Sequence, residues 1–374
     1  MKIGIVCYPT FGGSGVVATE LGMALAAKGH KVHFISYSQP VKLDTLSPNI
    51  YYHEVAVSDY PLFDYAPYEL VLSSKLVDVV RYYKLDLLHV HYAIPHASAA
   101  YMAKQILATH GINIPFITTL HGTDITLVGK DASFEPVITF AINQSDAVTA
   151  VSQSLKNDTL KYFKITRDIN VIPNFICLDD YKTENITQSR KQYAPYGEKI
   201  LIHISNFRKV KRVEDVLRVF NEIRKQIPSK LILVGDGPEK ANIEKLCREL
   251  DTCGDITSLG KLRDTDKILP LADLFLLPSE TESFGLAALE AMASSVPVIS
   301  SNSGGIPEVN IHGVSGYLSN VGDVSDMAKN ALSILKDEGV LKKFKENALE
   351  QAKNFDISKI LPMYEKLYDE VIEK

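Results

Sequence analysis

The chain has 374 residues, 46% of them hydrophobic and 23% charged, and its 40 Lys and Arg against 45 Asp and Glu give a formal charge of −5. That length points to two domains, each able to bury a core, and the charge excludes the broad basic surface of a protein that takes its affinity from nucleic-acid phosphates. No apolar run reaches the ~18 residues of a spanning helix, and the opening MKIGIVCYP reads as a strand and not as a leader. A cytoplasmic protein without stable membrane association is expected.

Short β-rich apolar runs alternate with longer helix-like stretches from end to end, a pattern that predicts parallel sheets with helices on their faces, the α/β class. In the first half the predicted strands are 2–8, 31–36, 86–92, 115–122, 147–152 and 169–174, with helices near 15–28, 69–83, 96–109, 134–144 and 153–163. The polar stretch DDYKTENITQSRKQYAPYGE, 179–198, has the composition of a linker. The pattern then restarts with strands at 199–205, 230–237, 256–260, 273–279 and 296–301, and with helices from about 212, after 237 and from about 285. Helices near 323–336, 339–353 and 358–372 close the chain. Two domains follow, 1–174 and 175–355, with the last helix, 356–374, expected to pack back on the first. Cys7, Cys177, Cys247 and Cys253 show no C-x-x-C spacing and are expected as buried or incidental thiols, neither zinc ligands nor disulfide partners.

Two such domains leave a cleft, and ligands of open parallel sheets sit beyond the carboxyl ends of strands, so chemistry is sought in the turns after strands. The first turn, PTFGGSGVVATEL, carries Gly12, Gly13 and Gly15 into a helix, where free N–H groups attract anions. It lacks the G-x-G-x-x-G dinucleotide spacing, and around Ser14 the G-x-S-x-G pattern misses its last glycine. A tight turn with no ligand is the plain alternative. A second glycine turn, NSGGIPEV, brings Gly304 and Gly305 before Pro307.

In PSETESFGLAALEAMAS, Glu282 stands before a helix and Glu290 inside it, about 12 Å apart if the eight residues are helical. That reach suits a nucleotide-sugar, one acid on the hexose and the other on the ribose, with the N–H groups of Phe284, Gly285 and Leu286 toward a diphosphate. The alternative is a capping Glu282 and a solvated Glu290. SNFRKVKRVEDV sets Arg208, Lys209, Lys211 and Arg212 before a helix, where cations oppose the dipole and an anionic ligand would account for them; a solvated basic loop is the alternative. His121 ends a strand in TLHGTD, His89 and His91 share one strand face, and His96 is expected to open the next helix. With no H-E-x-x-H, no carboxylate-rich partner at ligand spacing and no D-x-D after a strand, no metal site is expected.

The GGSG turn, HGTD, VGDGPE and GGIPEV, in that order and with the Glu282 and Glu290 pair, resemble retaining glycosyltransferase family 4 from residue 1 to the final helix. The resemblance implies the glycosyltransferase B fold, two Rossmann-like domains facing a cleft, with the donor in the second and the acceptor in the first. Within the family, CYPTFGGSG, HYAIPHA, LHGTDIT, SNFRKVKRVEDV and ESFGLAALEAMA are similar to the malate-specific branch. That likeness implies transfer of GlcNAc from UDP-GlcNAc to the hydroxyl of L-malate, with α retention and release of UDP, the first step of bacillithiol biosynthesis. No cofactor and no metal are implied, and a homo-oligomer is an option. A related transferase with another acceptor, such as inositol phosphate, a sugar or a lipid carrier, and a non-catalytic nucleotide-sugar-binding protein remain as alternatives.

On this reading His121, Lys211 and Glu282 are catalytic. The donor is bound by Gly13, Asn206, Arg208, Lys211, Glu282, Ser283, Phe284, Gly285, Leu286 and Glu290. The two carboxylates of L-malate need donors in the first domain, for which Ser14, Tyr92 and Thr123 are chosen, with Lys130 as a further cation. Asp124 is the nearest carboxylate to a nucleophile's place but suits a turn role as well, so a front-face reaction is preferred to double displacement. The chain departs from the wider family at Asn206, where many members have arginine, and at Ser294-Ser295 in place of Cys-Gly.

Overall fold

Ile3, Ile5 and Val6 in one run, and Leu87, Leu88 and Val90 in another, are wholly buried, as near-continuous apolar strands are when helices cover both faces of a parallel sheet. The computed structural model describes residues 1–10, 13–57, 66–127, 131–181 and 186–373. They form two units, Met1–Phe175 with Ile357–Lys374, and Ile176–Asp356.

In the first unit β1 (Lys2–Val6), β2 (Lys31–Ser36), β3 (Ile50–Glu54), β4 (Leu87–His91), β5 (Phe116–Leu120), β6 (Ala147–Ala150) and β7 (Ile169–Val171) pair in parallel. Their order is β3-β2-β1-β4-β5-β6-β7. The order reverses between β1 and β4, so the turns after these two strands border the switch point where such sheets bind ligands. The helices are α1 (Gly13–Ala27), α2 (Tyr68–Tyr83), α3 (Ser98–Ala108), α4 (Glu135–Gln144) and α5 (Gln153–Tyr162). Leu72, Leu76 and Val79 of α2 and Ala99, Ala100 and Ala103 of α3 pack on one face of the sheet.

The second unit repeats the plan with β8 (Lys199–Ser205), β9 (Ser229–Gly235), β10 (Ile256–Ser258), β11 (Leu274–Leu277), β12 (Val298–Ser301) and β13 (Gly316–Ser319). They are parallel in the order β10-β9-β8-β11-β12-β13. Its helices are α6 (Ile186–Tyr193), α7 (Val213–Arg224), α8 (Lys240–Glu249), α9 (Leu286–Ala293), α10 (Ile306–Val309), α11 (Val324–Leu335) and α12 (Glu338–Ala352). In α7 the buried Val213, Val216, Leu217, Phe220 and Ile223 recur at helical spacing and meet Leu231, Leu274 and Leu276 of the sheet. Asp323 and Asp337 cap α11 and α12 through their carboxylates. The final helix, α13 (Ile357–Ile372), belongs to the first unit, where it packs on α1 and buries Tyr364 and Tyr368.

Sequence and structure differ in several elements and in one pair of cysteines. β3, IYYHE, escapes pattern reading because this edge strand is mostly half-exposed and shows no apolar run. β13, GYLS, escapes it too, because it has only two apolar residues, Tyr317 and Leu318, both half-buried. α6 lies inside the stretch expected to be a linker. Cys247 and Cys253 are joined in a disulfide, contrary to the expectation of incidental thiols. After α8 the chain reverses through Asp251 at φ 51, which brings the two Cα atoms to 5.1 Å, a proximity that cysteine spacing alone does not show. Cys7 and Cys177 take part in no disulfide among the described residues. Among the described residues no helix is long and apolar enough to cross a membrane.

Candidate active site

In the second unit the turns that follow β8, β11 and β12 are tied to one another. His203 of β8 donates from Nδ1 to the Leu276 carbonyl of β11 at 2.8 Å, and burial lowers its pKa to about 4. Nε2 of this neutral ring therefore accepts from the Ser205 hydroxyl at 2.8 Å. Beyond β8, Phe207 is buried at φ 30, and its neighbours Asn206 and Arg208 are turned out to solvent. A short turn, Lys209–Lys211, is closed by Lys211 N–H on the Arg208 carbonyl at 2.8 Å. Glu280 N–H donates to the Val210 carbonyl at 2.8 Å, which fastens the turn after β11 to it. The turn after β12 is fastened in the same way, by Ser303 Oγ on the Glu280 carbonyl at 2.6 Å and Gly305 N–H on the Glu282 carbonyl at 2.9 Å. Gly304 has φ 60 and a Cβ there would lie 2.0 Å from the Glu282 carbonyl oxygen, so only glycine fits.

Held in this frame, Lys211 Nζ forms an ion pair with Glu282 Oε1, and Ser279 Oγ donates to the same oxygen at 3.3 Å. Lys211 is 21% exposed and Glu282 16%, so solvent screens the pair only in part. Glu282 is therefore not a helix cap: α9 starts at Leu286, and the preceding Gly285, at φ 97, provides no side chain. The separation estimated for an unbroken helix also needs correction, because residues 282–285 are not helical and the rise from Leu286 to Glu290 is about 6 Å. Glu290 is half-buried on α9. Phe284 is buried against Phe355 with ring centroids 5.6 Å apart, which leaves its backbone as the part a ligand could use. Among the basic residues, Arg212 Nε bonds Asp215 Oδ2 at 2.6 Å, whereas Arg208 is exposed and has no ionic partner among the described residues.

In the first unit α1 begins at Gly13, and Gly12 lies outside the described residues. A Cβ on Gly15 would stand 2.6 Å from the Tyr8 carbonyl and 2.7 Å from that of Thr10, so the helix starts pressed against the end of the first strand. The Ser14 hydroxyl then meets the Tyr92 hydroxyl at 2.7 Å. Tyr92 follows β4 at φ 87, a conformation tolerated where surrounding structure enforces it; here its N–H is fixed on the Thr119 carbonyl at 2.9 Å. Burial pushes the Tyr92 phenol up to about 12, with the Ser14 and Thr123 side chains acting against it. Asp124 is buried and accepts from Gly122 N–H and Ala93 N–H, both at 3.0 Å and one on each carboxylate oxygen. Burial pushes its carboxyl up to about 6 against those bonds. With both oxygens engaged it joins two strand-end turns and is placed as a structural group.

His121 is 9% exposed, and its Nε2 lies 2.8 Å from His91 Nδ1, while its ring lies 5.2 Å from that of Tyr92. Behind it runs a buried polar face: His89 meets the Tyr368 hydroxyl and Thr119 Oγ1, each at 2.7 Å, and Thr119 meets Thr149 at 2.6 Å. The rings of His89 and His91 stack at 4.5 Å. His96 does not open α3; it lies in the irregular turn Ala93–Ala97 and donates from Nδ1 to the His91 carbonyl at 2.5 Å. Burial lowers the pKa of His89 and His121 to about 3 and that of His96 to about 4, and it holds His91 well below the ordinary imidazole value. Burial thus keeps these imidazoles neutral near pH 7.

The structure thus gathers Ser14, Tyr92, Thr123 and His121 in the first unit, and Lys211, Glu282 and Ser283 with the glycine turn in the second. Lys130 lies outside the described residues. Sequence reading missed the Lys211 and Glu282 pair and the buried line from His91 to Tyr368; the only sequence sign of the latter was histidine at alternate positions of β4. Among the described residues no group of three or more His, Cys, Asp or Glu could hold a metal ion.

Comparison with known proteins matches residues 11–180 to the model of Glycosyltransferase Family 4 and residues 185–351 to that of Glycosyl transferases group 1. The chain is 50% identical over 374 residues to N-acetyl-alpha-D-glucosaminyl L-malate synthase of Bacillus anthracis, covering 100% of this chain and 97% of that protein. An uncharacterized glycosyltransferase of Methanocaldococcus jannaschii is 27% identical over 94% of this chain and 93% of its own length. Among solved structures, Anabaena HepE in complex with UDP and glucose superposes with a TM-score of 0.83 at 20% identity, over 99% of each chain. Sucrose-phosphate synthase from Thermosynechococcus elongatus does so with 0.81 at 20% identity, over 100% of this chain and 99% of that one.

Proposed function

The chain belongs to glycosyltransferase family 4 and is a nucleotide-sugar-dependent transferase of the glycosyltransferase B fold, and we propose that it moves GlcNAc from UDP-GlcNAc to the hydroxyl of L-malate. The product keeps the α configuration and UDP leaves, the first step of bacillithiol biosynthesis. The observation that carries the reading is likeness over the whole chain to the malate synthase. The two clusters of polar side chains at strand ends support it.

In the proposed reaction the anomeric C–O bond to the β-phosphate breaks with oxocarbenium character, and the malate oxygen bonds the same face. The malate hydroxyl proton passes to the departing phosphate. Lys211, with Arg208 and the backbone N–H groups before α9, offsets the charge that grows on that phosphate. Asn206 and Gly13 line the donor's phosphates, Glu282 and Ser283 hold the hexose, and Glu290 accepts from the ribose hydroxyls. Since Lys211 and Glu282 are paired, the bound donor sits on a preassembled pair. Ser14, Tyr92 and Thr123 donate to the malate carboxylates. His121 contacts the hexose. Asp124 is buried and turned to two backbone N–H groups, a placing that favours front-face return over double displacement.

No cofactor or metal enters this scheme, and the enzyme works in the cytoplasm on small molecules, without nucleic acid or stable membrane association. A homo-oligomer is compatible with it. The deciding experiment incubates the protein with UDP-GlcNAc and L-malate and measures UDP release and the glycoside formed. Release with inositol phosphate or a sugar acceptor, and none with malate, would replace the acceptor. No release with any acceptor, despite tight UDP-GlcNAc binding, would leave a binding protein.

A further inference from the structure

We propose that His91 is a positioning residue that fixes His121 in its Nδ1–H tautomer, so that the edge of His121 left for the substrates is a hydrogen-bond donor. The proposal rests on the reading of the first unit as part of the transfer site.

His91 Nδ1 and His121 Nε2 lie 2.8 Å apart, and one proton must occupy that axis. Both rings are neutral, because burial lowers their pKa values. The other nitrogen of His91, Nε2, is buried and has no hydrogen-bond partner among the described residues. Had the His91 proton been there, a buried N–H would be orphaned, the rarest kind of unpaired backbone or side-chain polar group; an unused lone pair is the milder defect. The proton therefore sits on His91 Nδ1 and is donated to His121 Nε2. A neutral imidazole that accepts at one nitrogen carries its hydrogen on the other, so His121 holds its own on Nδ1.

His91 is itself held fast: it lies wholly buried in β4, its ring stacks on His89 at 4.5 Å, and its carbonyl accepts from His96 Nδ1 at 2.5 Å. His121 Nδ1 makes no hydrogen bond among the described residues, and the ring stands beside Tyr92 at 5.2 Å. Such an Nδ1–H can donate to a hydroxyl, carboxylate or phosphate oxygen of a bound substrate. It has no lone pair with which to take the malate proton. His121 is thereby a donor and not a general base.

The test uses the full chain labelled with ¹⁵N-histidine, with the His121 resonances identified by their loss in His121→Gln. Long-range proton–nitrogen spectra of the wild type are expected to show hydrogen on Nδ1 of His121. In His91→Asn the amide can still donate to Nε2, so the Nδ1–H form and most of the turnover should remain. In His91→Asp the carboxylate accepts only, His121 should shift to Nε2–H, and turnover should fall about 10²-fold with UDP affinity unchanged. An Nε2–H His121 in the wild type, or equal turnover of the Asn and Asp variants, would overturn the proposal. The wild-type spectrum decides even where the Asp variant does not fold. If the malate reading were wrong, the wild type would release no UDP with malate, yet the tautomer would still be read.

Discussion

The Tyr92 hydroxyl and Ser14 Oγ, 2.7 Å apart, join the end of β4 to the first turn of α1 across the switch point of the first sheet. Their hydrogen bond places two hydroxyls where a small anionic acceptor would meet them. The Tyr92 proton stays on the oxygen at any working pH, because burial raises the phenol to about 12. Tyr92→Phe and Ser14→Ala are expected to raise the KM for malate by about 10- to 100-fold, the usual cost of one hydrogen bond to a charged group. UDP affinity measured by calorimetry should not change. An unchanged malate KM in both variants would place the acceptor elsewhere.

Glu282→Ala and Glu290→Ala should separate hexose from ribose. Glu290→Ala is expected to weaken free UDP, whereas Glu282→Ala should leave UDP affinity nearly intact and lower turnover. Equal losses of UDP affinity would contradict the division, since UDP has the ribose and no hexose.

The α/β alternation and the strand-end turns were legible because parallel strands buried on both faces read as continuous apolar runs, as Lys31–Ser36 and Lys199–Ser205 do. The half-exposed Ile50–Glu54 was not, because it has no such run. The motifs pointed to Ser14, Tyr92 and Glu282 individually. What they could not give was partnership: Lys211 and Glu282 are 71 residues apart, and His89 meets Tyr368 across 279. Contacts of that span depend on how the sheet brings loops together, and no local pattern encodes them.

The scheme places the charge of the departing phosphate on Lys211, Arg208 and backbone N–H groups. Turnover is therefore expected to be unaffected by excess EDTA after exhaustive dialysis. A loss of UDP release that Mg²⁺ or Mn²⁺ restores would mean that a cation shares the task.

Asp124 gives a pH signature. Burial raises its carboxyl from the ordinary 3.8 to about 6, so between these values the folded chain binds more protons than the unfolded one. Its contribution to stability is full below about pH 4 and is lost as pH rises through about 6. Asp124→Asn keeps one accepting oxygen and does not titrate. Denaturation midpoints should show the wild type losing stability relative to the variant between pH 4 and 6, with a constant difference above 7. A constant difference over the whole range would mean that the carboxylate is better solvated or better paired than its two backbone N–H bonds imply.

Lys211 and Glu282 give the last prediction, because each is assigned a ligand and each is also the other's partner. Lys211→Ala removes a preorganised stabiliser of the departing phosphate, a change that typically costs ~10²–10³ in rate, while a loss of uniform binding would raise KM with turnover intact. Turnover should therefore fall by that factor with the malate KM little changed. Glu282→Ala should also lower turnover, in part because Lys211 loses the carboxylate that aims it. Residues in direct contact do not act independently, so the double variant should lose less than the product of the two single losses. Arg208→Ala, which breaks no ion pair among the described residues, should cost less than Lys211→Ala and combine multiplicatively with Glu282→Ala. Steady-state kinetics on the wild type and these variants, with both substrates varied, supply every number needed. Multiplicative losses for Lys211 and Glu282 would show that the ion pair plays no part in turnover. A Lys211→Ala enzyme that kept its turnover and lost only malate affinity would move this turn to the acceptor and reverse the assignment of the two units.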